Sequence, residues 1–87
     1  MTIAEVYDAA RRCRPCKPGA SKVYICDVAE VLGDTVSSVA PELLRLRHEG
    51  LELSRADMPE LFDAEKLRLS QVDSPGMHYG YQLLRLP

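Results

Sequence analysis

Two glycines, Gly33 and Gly50, bracket a segment in which Val36, Val39, Leu43 and Leu46 recur along one side of a helix. Glycine reaches the left-handed backbone conformation that ends helices at no steric cost, so the pair predicts where one helix stops and the next one closes. Asp34 or Thr35 stands where a cap is needed. Arg45, Arg47 and His48 fall in the last turns, where cations are favourable against the helix dipole. One residue conflicts with this pattern. Pro41 lacks a backbone N–H, and inside a helix proline typically costs about 3 kcal/mol. Two arrangements accommodate it: a kink at Pro41, or a separate turn over 35–39 with the regular helix starting near Pro41.

The segments on either side carry their own signals. Thr2-Ile3-Ala4-Glu5 fits a capping box, and Ile3, Val6, Tyr7 and Ala10 form an apolar stripe at helical spacing. Pro15 pushes its predecessor out of helical geometry, which predicts a first helix over about 3–14. Residues 15–22, with two prolines and a glycine, read as a loop. Val23-Tyr24-Ile25 suits a brief strand. Asp27, three residues before Glu30, is expected to cap a short helix whose apolar face is Val28, Val31 and Leu32. Beyond Gly50, residues 51–55 alternate with period two, and 78–86 is again strand-like, with Tyr79 and Tyr81 on one face. The stretch 56–77 between them is too long for a tight hairpin. Asp57-Met58-Pro59-Glu60 looks like a helix start, 63–67 can add a turn, and Ser74-Pro75-Gly76 is a turn into the last strand.

Size narrows the choice of fold. With 87 residues there is one domain, which buries only about 60–65% of its unfolded surface, so the core must be economical. Aromatics make up 6% and tryptophan is absent, leaving leucine and valine to fill it. No apolar run approaches the length of a membrane span. Met1-Thr2-Ile3-Ala4-Glu5 lacks the basic start and apolar stretch of a signal peptide, so a cytoplasmic location is the default expectation.

The order helix, strand, short helix, glycine, helix, glycine, strand, long loop, strand resembles the winged-helix family, including its uncharacterised bacterial members. The likeness rests on Ile25-Cys26-Asp27-Val28-Ala29-Glu30-Val31-Leu32-Gly33 as the first helix of a helix-turn-helix. Val39 and Leu43-Leu44-Arg45-Leu46-Arg47-His48-Glu49-Gly50-Leu51 then resemble a recognition helix running into the wing. The resemblance implies an α+β winged helix-turn-helix over 1–87. It has three helices and a small antiparallel sheet, with the helix-turn-helix at about 23–50 and an enlarged wing at about 51–87. It also implies a DNA-binding protein, a transcriptional regulator by class, because such folds place the third helix in the major groove. Pro41 and the long loop depart from the family pattern on the surfaces that would meet DNA.

On that reading Ser37, Ser38, Arg45 and His48 face the bases or phosphates, while Lys22, Arg47 and Arg55 supply backbone contacts. Lys17, Lys66 and Arg68 are further candidates for backbone contacts. The formal net charge of −2 points the other way, since nucleic-acid binders draw most of their non-specific affinity from phosphate neutralisation. The competing expectation is a winged-helix module that binds a protein partner, or a second copy of itself, through 56–77. There Met58, Leu61, Phe62, Leu67 and Leu69 either extend the core or form an apolar contact surface. A continuous positive face on the third helix favours DNA; an apolar or acidic one favours a protein.

Cys13-Arg14-Pro15-Cys16 has the spacing of half a zinc site, which Cys26 with His48 or His78 could complete, but a second C-x-x-C is missing. Cys13 lies near a helix C-terminus, the wrong end to stabilise a thiolate, and Cys26 reads as a small buried apolar residue. The expectation is therefore no cofactor, with zinc as the minor alternative. No phosphate loop, nucleophile motif or metal-ligand histidine pair is present, so an enzyme is not expected.

Overall fold

The computed structural model describes residues 1–74, 76 and 80–87. It begins with helix α1, Ile3–Arg11, closed at its N-terminus by the expected capping box: Thr2 accepts from the Glu5 amide, and Glu5 reaches back to the Thr2 amide. The helix ends with Arg12 as its cap, short of the expected 14. Val6, Ala9 and Ala10 are buried on its inner face.

Strand β1, Lys22–Tyr24, runs without a break into helix α2, Ile25–Val31. This corrects the expected cap at Asp27, which lies inside the helix. The free N–H groups of its first turn find partners from distant parts of the chain. The Ile25 amide donates to the Gln82 carbonyl at 3.1 Å, and the Cys26 amide donates to the Ser70 hydroxyl at 2.9 Å. Val28 faces the core as expected and Leu32 packs against it, but Val31 is exposed.

Gly33 and Gly50 close α2 and helix α3, Val36–Arg47, at φ 73° and 107°. After α2 the Asp34 amide donates to the Ala29 carbonyl and the Gly33 amide to that of Glu30, the paired bonds of a Schellman motif. Leu51 and Gly50 repeat the arrangement on Leu46 and Arg47. Thr35 is the cap of α3, accepting from the Ser38 amide at 3.1 Å. The separate turn expected over 35–39 does not form, because α3 is one helix through Pro41. Pro41 and Ser37 are both exposed, so the carbonyl that loses its helical donor is open to hydration.

Strands β2, Glu52–Ser54, and β5, Leu83–Arg85, complete an antiparallel sheet of order β1-β5-β2. In register, Val23, Leu84 and Leu53 form one row, and Tyr24, Leu83 and Ser54 the next. Successive rows face opposite sides of a sheet. The first row joins the core beneath α1, α2 and α3, where Ile25, Val28, Val39, Leu43 and Leu46 meet it.

The chain between β2 and β5 holds a fourth α-helix, which corrects the expected count of three. Its short helical elements fall near the helix start expected at 57–60 and the turn expected at 63–67. A 3-10 turn, Pro59–Leu61, leads to helix α4, Ala64–Leu69, capped by Asp63. Strands β3, Val72–Asp73, and β4, Gly80–Tyr81, then form a second antiparallel pair, with β3 packed against α3. The segment from the turn through α4 lies on the outer side of the sheet. There the Asp63 amide donates to the Tyr24 hydroxyl at 2.9 Å, and Tyr24 and Leu83 are buried. His78, Tyr79 and the Pro75 of the expected turn lie outside the described residues.

Candidate docking surfaces

The exposed face of α3 carries Ser37, Ser38, Pro41, Arg45 and His48, as the helical spacing predicts. Its central cation is occupied. The Arg45 guanidinium donates to Glu42 at 2.9 Å and to Glu49 at 2.8 Å, and also to the Met1 carbonyl. The hydrogen bond and charge of Arg45 hold the Glu42 carboxyl below its ordinary range. Glu42 and Glu49 sit three residues before and four after the arginine, where helix geometry brings side chains together. The i−3 and i+4 spacing of these two carboxylates is the sequence signal that could have found the bracket. At the start of the helix, Thr35 and Ser37 share a groove with Asp27, Glu30, Asp34 and Lys66; Lys66 pairs with Asp27, and the other two carboxylates leave the groove acidic. Arg47 turns away from this face, its guanidinium 4.8 Å from the centre of the Tyr81 ring.

Lys22 and Arg55 do not join that face. They line a hollow with Lys17, Asp57, Met58, Leu61 and Phe62, to which α3 contributes nothing. Residues expected to act as one DNA-binding set therefore divide between two surfaces. Lys66 and Arg68 are also engaged: Lys66 donates to both carboxylate oxygens of Asp27 at 3.0 and 3.1 Å, and Arg68 pairs with Glu65 one turn away.

The Lys66 contact is structural. Its ammonium lies 5.5 Å from the centre of the Tyr24 ring, and the bond to Asp27 is the main reason it stays charged to higher pH than a free lysine. Together with the Ser70–Cys26 hydrogen bond, it ties α4 to the start of α2. Ser70 is fully buried and had no signal in the sequence, because its role depends on a residue 44 positions away.

The cysteines are all half-buried free thiols. Burial, with the neighbouring Asp27 carboxylate, pushes the Cys13 thiol up to about 11, and burial likewise raises Cys26. Cys26 is half-buried where a buried residue was expected; it is the second residue of α2, its thiol 3.7 Å from the Lys66 carbonyl. Cys16 lines a hollow beside Phe62, away from the one lined by Cys13. Among the described residues no three histidine, cysteine or acidic side chains come together as metal ligands, and no helix is long and apolar enough to cross a membrane.

Of the apolar side chains expected either to extend the core or to form a contact surface, Met58, Leu61 and Leu69 are exposed and Phe62 and Leu67 half-buried. Val72 and Tyr81, further along the same segment, join the core. Met58 is 54% exposed and Leu61 57%, with Phe62 half-buried beside them. These three make an apolar patch on a ledge above the sheet.

Compared with known proteins, the chain matches no family model, no curated protein and no solved structure. What its fold defines is a class: a small α+β protein of four α-helices and antiparallel sheet, among the described residues.

Proposed function

We propose that this is a winged-helix domain that works as a protein-docking module, using the segment between β2 and β5 as its contact surface. The order α1, β1, α2, α3, β2, β5 with a β1-β5-β2 sheet supports the winged-helix reading. The observation that carries the docking reading is the bracketing of Arg45 by Glu42 and Glu49. A phosphate approaching α3 meets a guanidinium that already has two carboxylate partners, with more acidic residues at the start of the helix. The elongated wing lies back on the sheet and exposes Met58 and Leu61, the kind of apolar patch that marks a partner contact.

One observation favours DNA as the second reading. Ser37 and Ser38 are exposed on the first turn of α3, and β3 packs beside that helix, so a helix and a hairpin stand together as in groove-binding winged helices. Fluorescence anisotropy with mixed-sequence duplex DNA at low salt separates the two. The docking reading expects no binding by wild type, and salt-dependent binding once E42Q with E49Q releases Arg45. Wild-type binding that weakens with salt, by a log–log slope of about 0.9 per neutralised phosphate, would establish the DNA reading instead.

A further inference from the structure

Phe62 is the meeting point of two hollows, of about 180 and 370 Å3, both also lined by Lys17 and Lys22. Arg85 lines the larger, and Met58 and Leu61 the smaller. The Lys17 ammonium lies 5.4 Å from the centre of the Phe62 ring. Resting on the docking reading above, we infer that this double hollow is the contact itself and that its occupant is an acidic, amphipathic segment of a protein partner.

Charge complementarity chooses the occupant. The cations lining the two hollows are Lys17, Lys22, Arg55 and Arg85, against one lining carboxylate, Asp57. Arg85 pairs with Glu52 of the adjacent strand at 3.7 Å, so the excess rests on the two lysines. The molecule as a whole is acidic, so this is a local excess of positive charge against the overall balance. Beside it stand a ring and two exposed aliphatic side chains, which gain from burial against apolar groups. A segment alternating carboxylates with leucine or phenylalanine satisfies both halves. A single-stranded nucleic acid fits less well, because it needs successive rings for stacking along a cationic track, and here one ring is flanked by aliphatic ends and Asp57. Strand addition at β1 has little edge to use, since β1 is three residues long and its Lys22 carbonyl already accepts from the Cys16 amide at 2.8 Å. Recognition is therefore through side chains.

The test is an amide chemical-shift titration of the full chain with three probes. They are a synthetic peptide of glutamate with leucine and phenylalanine at helical spacing, its lysine counterpart, and a single-stranded oligonucleotide. The glutamate peptide is expected to shift Lys17, Lys22, Leu61 and Phe62 and to bind less tightly as salt rises. K17E, at an exposed position, combined with K22E, at a half-buried one, should weaken it at least about tenfold and flatten the salt dependence. L61S should weaken it without changing that dependence. Absence of binding by the glutamate peptide, binding elsewhere, or a preference for the lysine peptide or the oligonucleotide at these residues would overturn the inference. So would sedimentation showing that the hollow is filled by a second copy of the chain. None of these results restores DNA binding by α3, which the duplex titration decides separately.

Discussion

At Gly33 the backbone sits at φ 73°, and a Cβ added there would meet no atom within 4 Å. The cost of a side chain at this position is therefore conformational rather than steric. Gly33→Ala is expected to destabilise the fold by about 1 kcal/mol, measured by denaturant unfolding. Thr35 acts two residues later through a single hydroxyl, and Thr35→Ala should also cost about 1 kcal/mol. Both residues were legible in the sequence because their partners are their own neighbours. Ser70 was not. Its hydroxyl accepts from the first turn of a helix far away in the chain, so only the folded molecule gives it a role. Ser70→Ala leaves the Cys26 amide without its acceptor and should cost about 1–2 kcal/mol in the same measurement.

Among the elements, the segment between β2 and β5 is where sequence and structure part. Local signals gave the two amphipathic helices, their glycine ends and the alternation of β2, since each depends on periodicity within one element. The same logic misplaced Asp27 as a cap, because Asp27-x-x-Glu30 is a good local signature. The tertiary bonds from Gln82 and Ser70 instead let α2 begin three residues earlier, with Tyr24 in the cap position. Helix α4 is too short to be stable alone and is held by Lys66 on Asp27 and by the Asp63–Tyr24 hydrogen bond. The pH dependence of this attachment follows from Lys66. Its affinity for the proton is raised in the fold, so its contribution is fully present below the free-lysine value of 10.5 and is lost as pH rises through the higher folded value. Hydrogen exchange compared between wild type and Lys66→Met should show α4 protection reduced by the substitution at neutral pH. Near-UV circular dichroism of the tyrosines should show the wild type approaching the variant above pH 10.5. A wild-type signal that stays apart from the variant through that range would separate α4 from this ion pair.

Across the whole molecule, the radius of gyration is 11.7 Å, close to the roughly 12 Å of a compact chain of this length. Among the described residues, the segment between β2 and β5 is tied to the rest of the fold through the Asp63–Tyr24 and Ser70–Cys26 hydrogen bonds. The same folding divides the cations expected to act together. Arg45 is bracketed on α3, Lys66 and Arg68 are paired with carboxylates, and Lys17 and Lys22 stand at the hollow around Phe62. The cations of the expected DNA-facing set thus stand partly on α3 and partly at the Phe62 hollow, and Arg45 among them is already paired with carboxylates. Amide chemical-shift mapping with mixed duplex DNA at low salt tests this most directly. The account predicts that Ser37, Ser38, Arg45 and His48 do not move. Concerted shifts along α3 that fade as salt rises would contradict it.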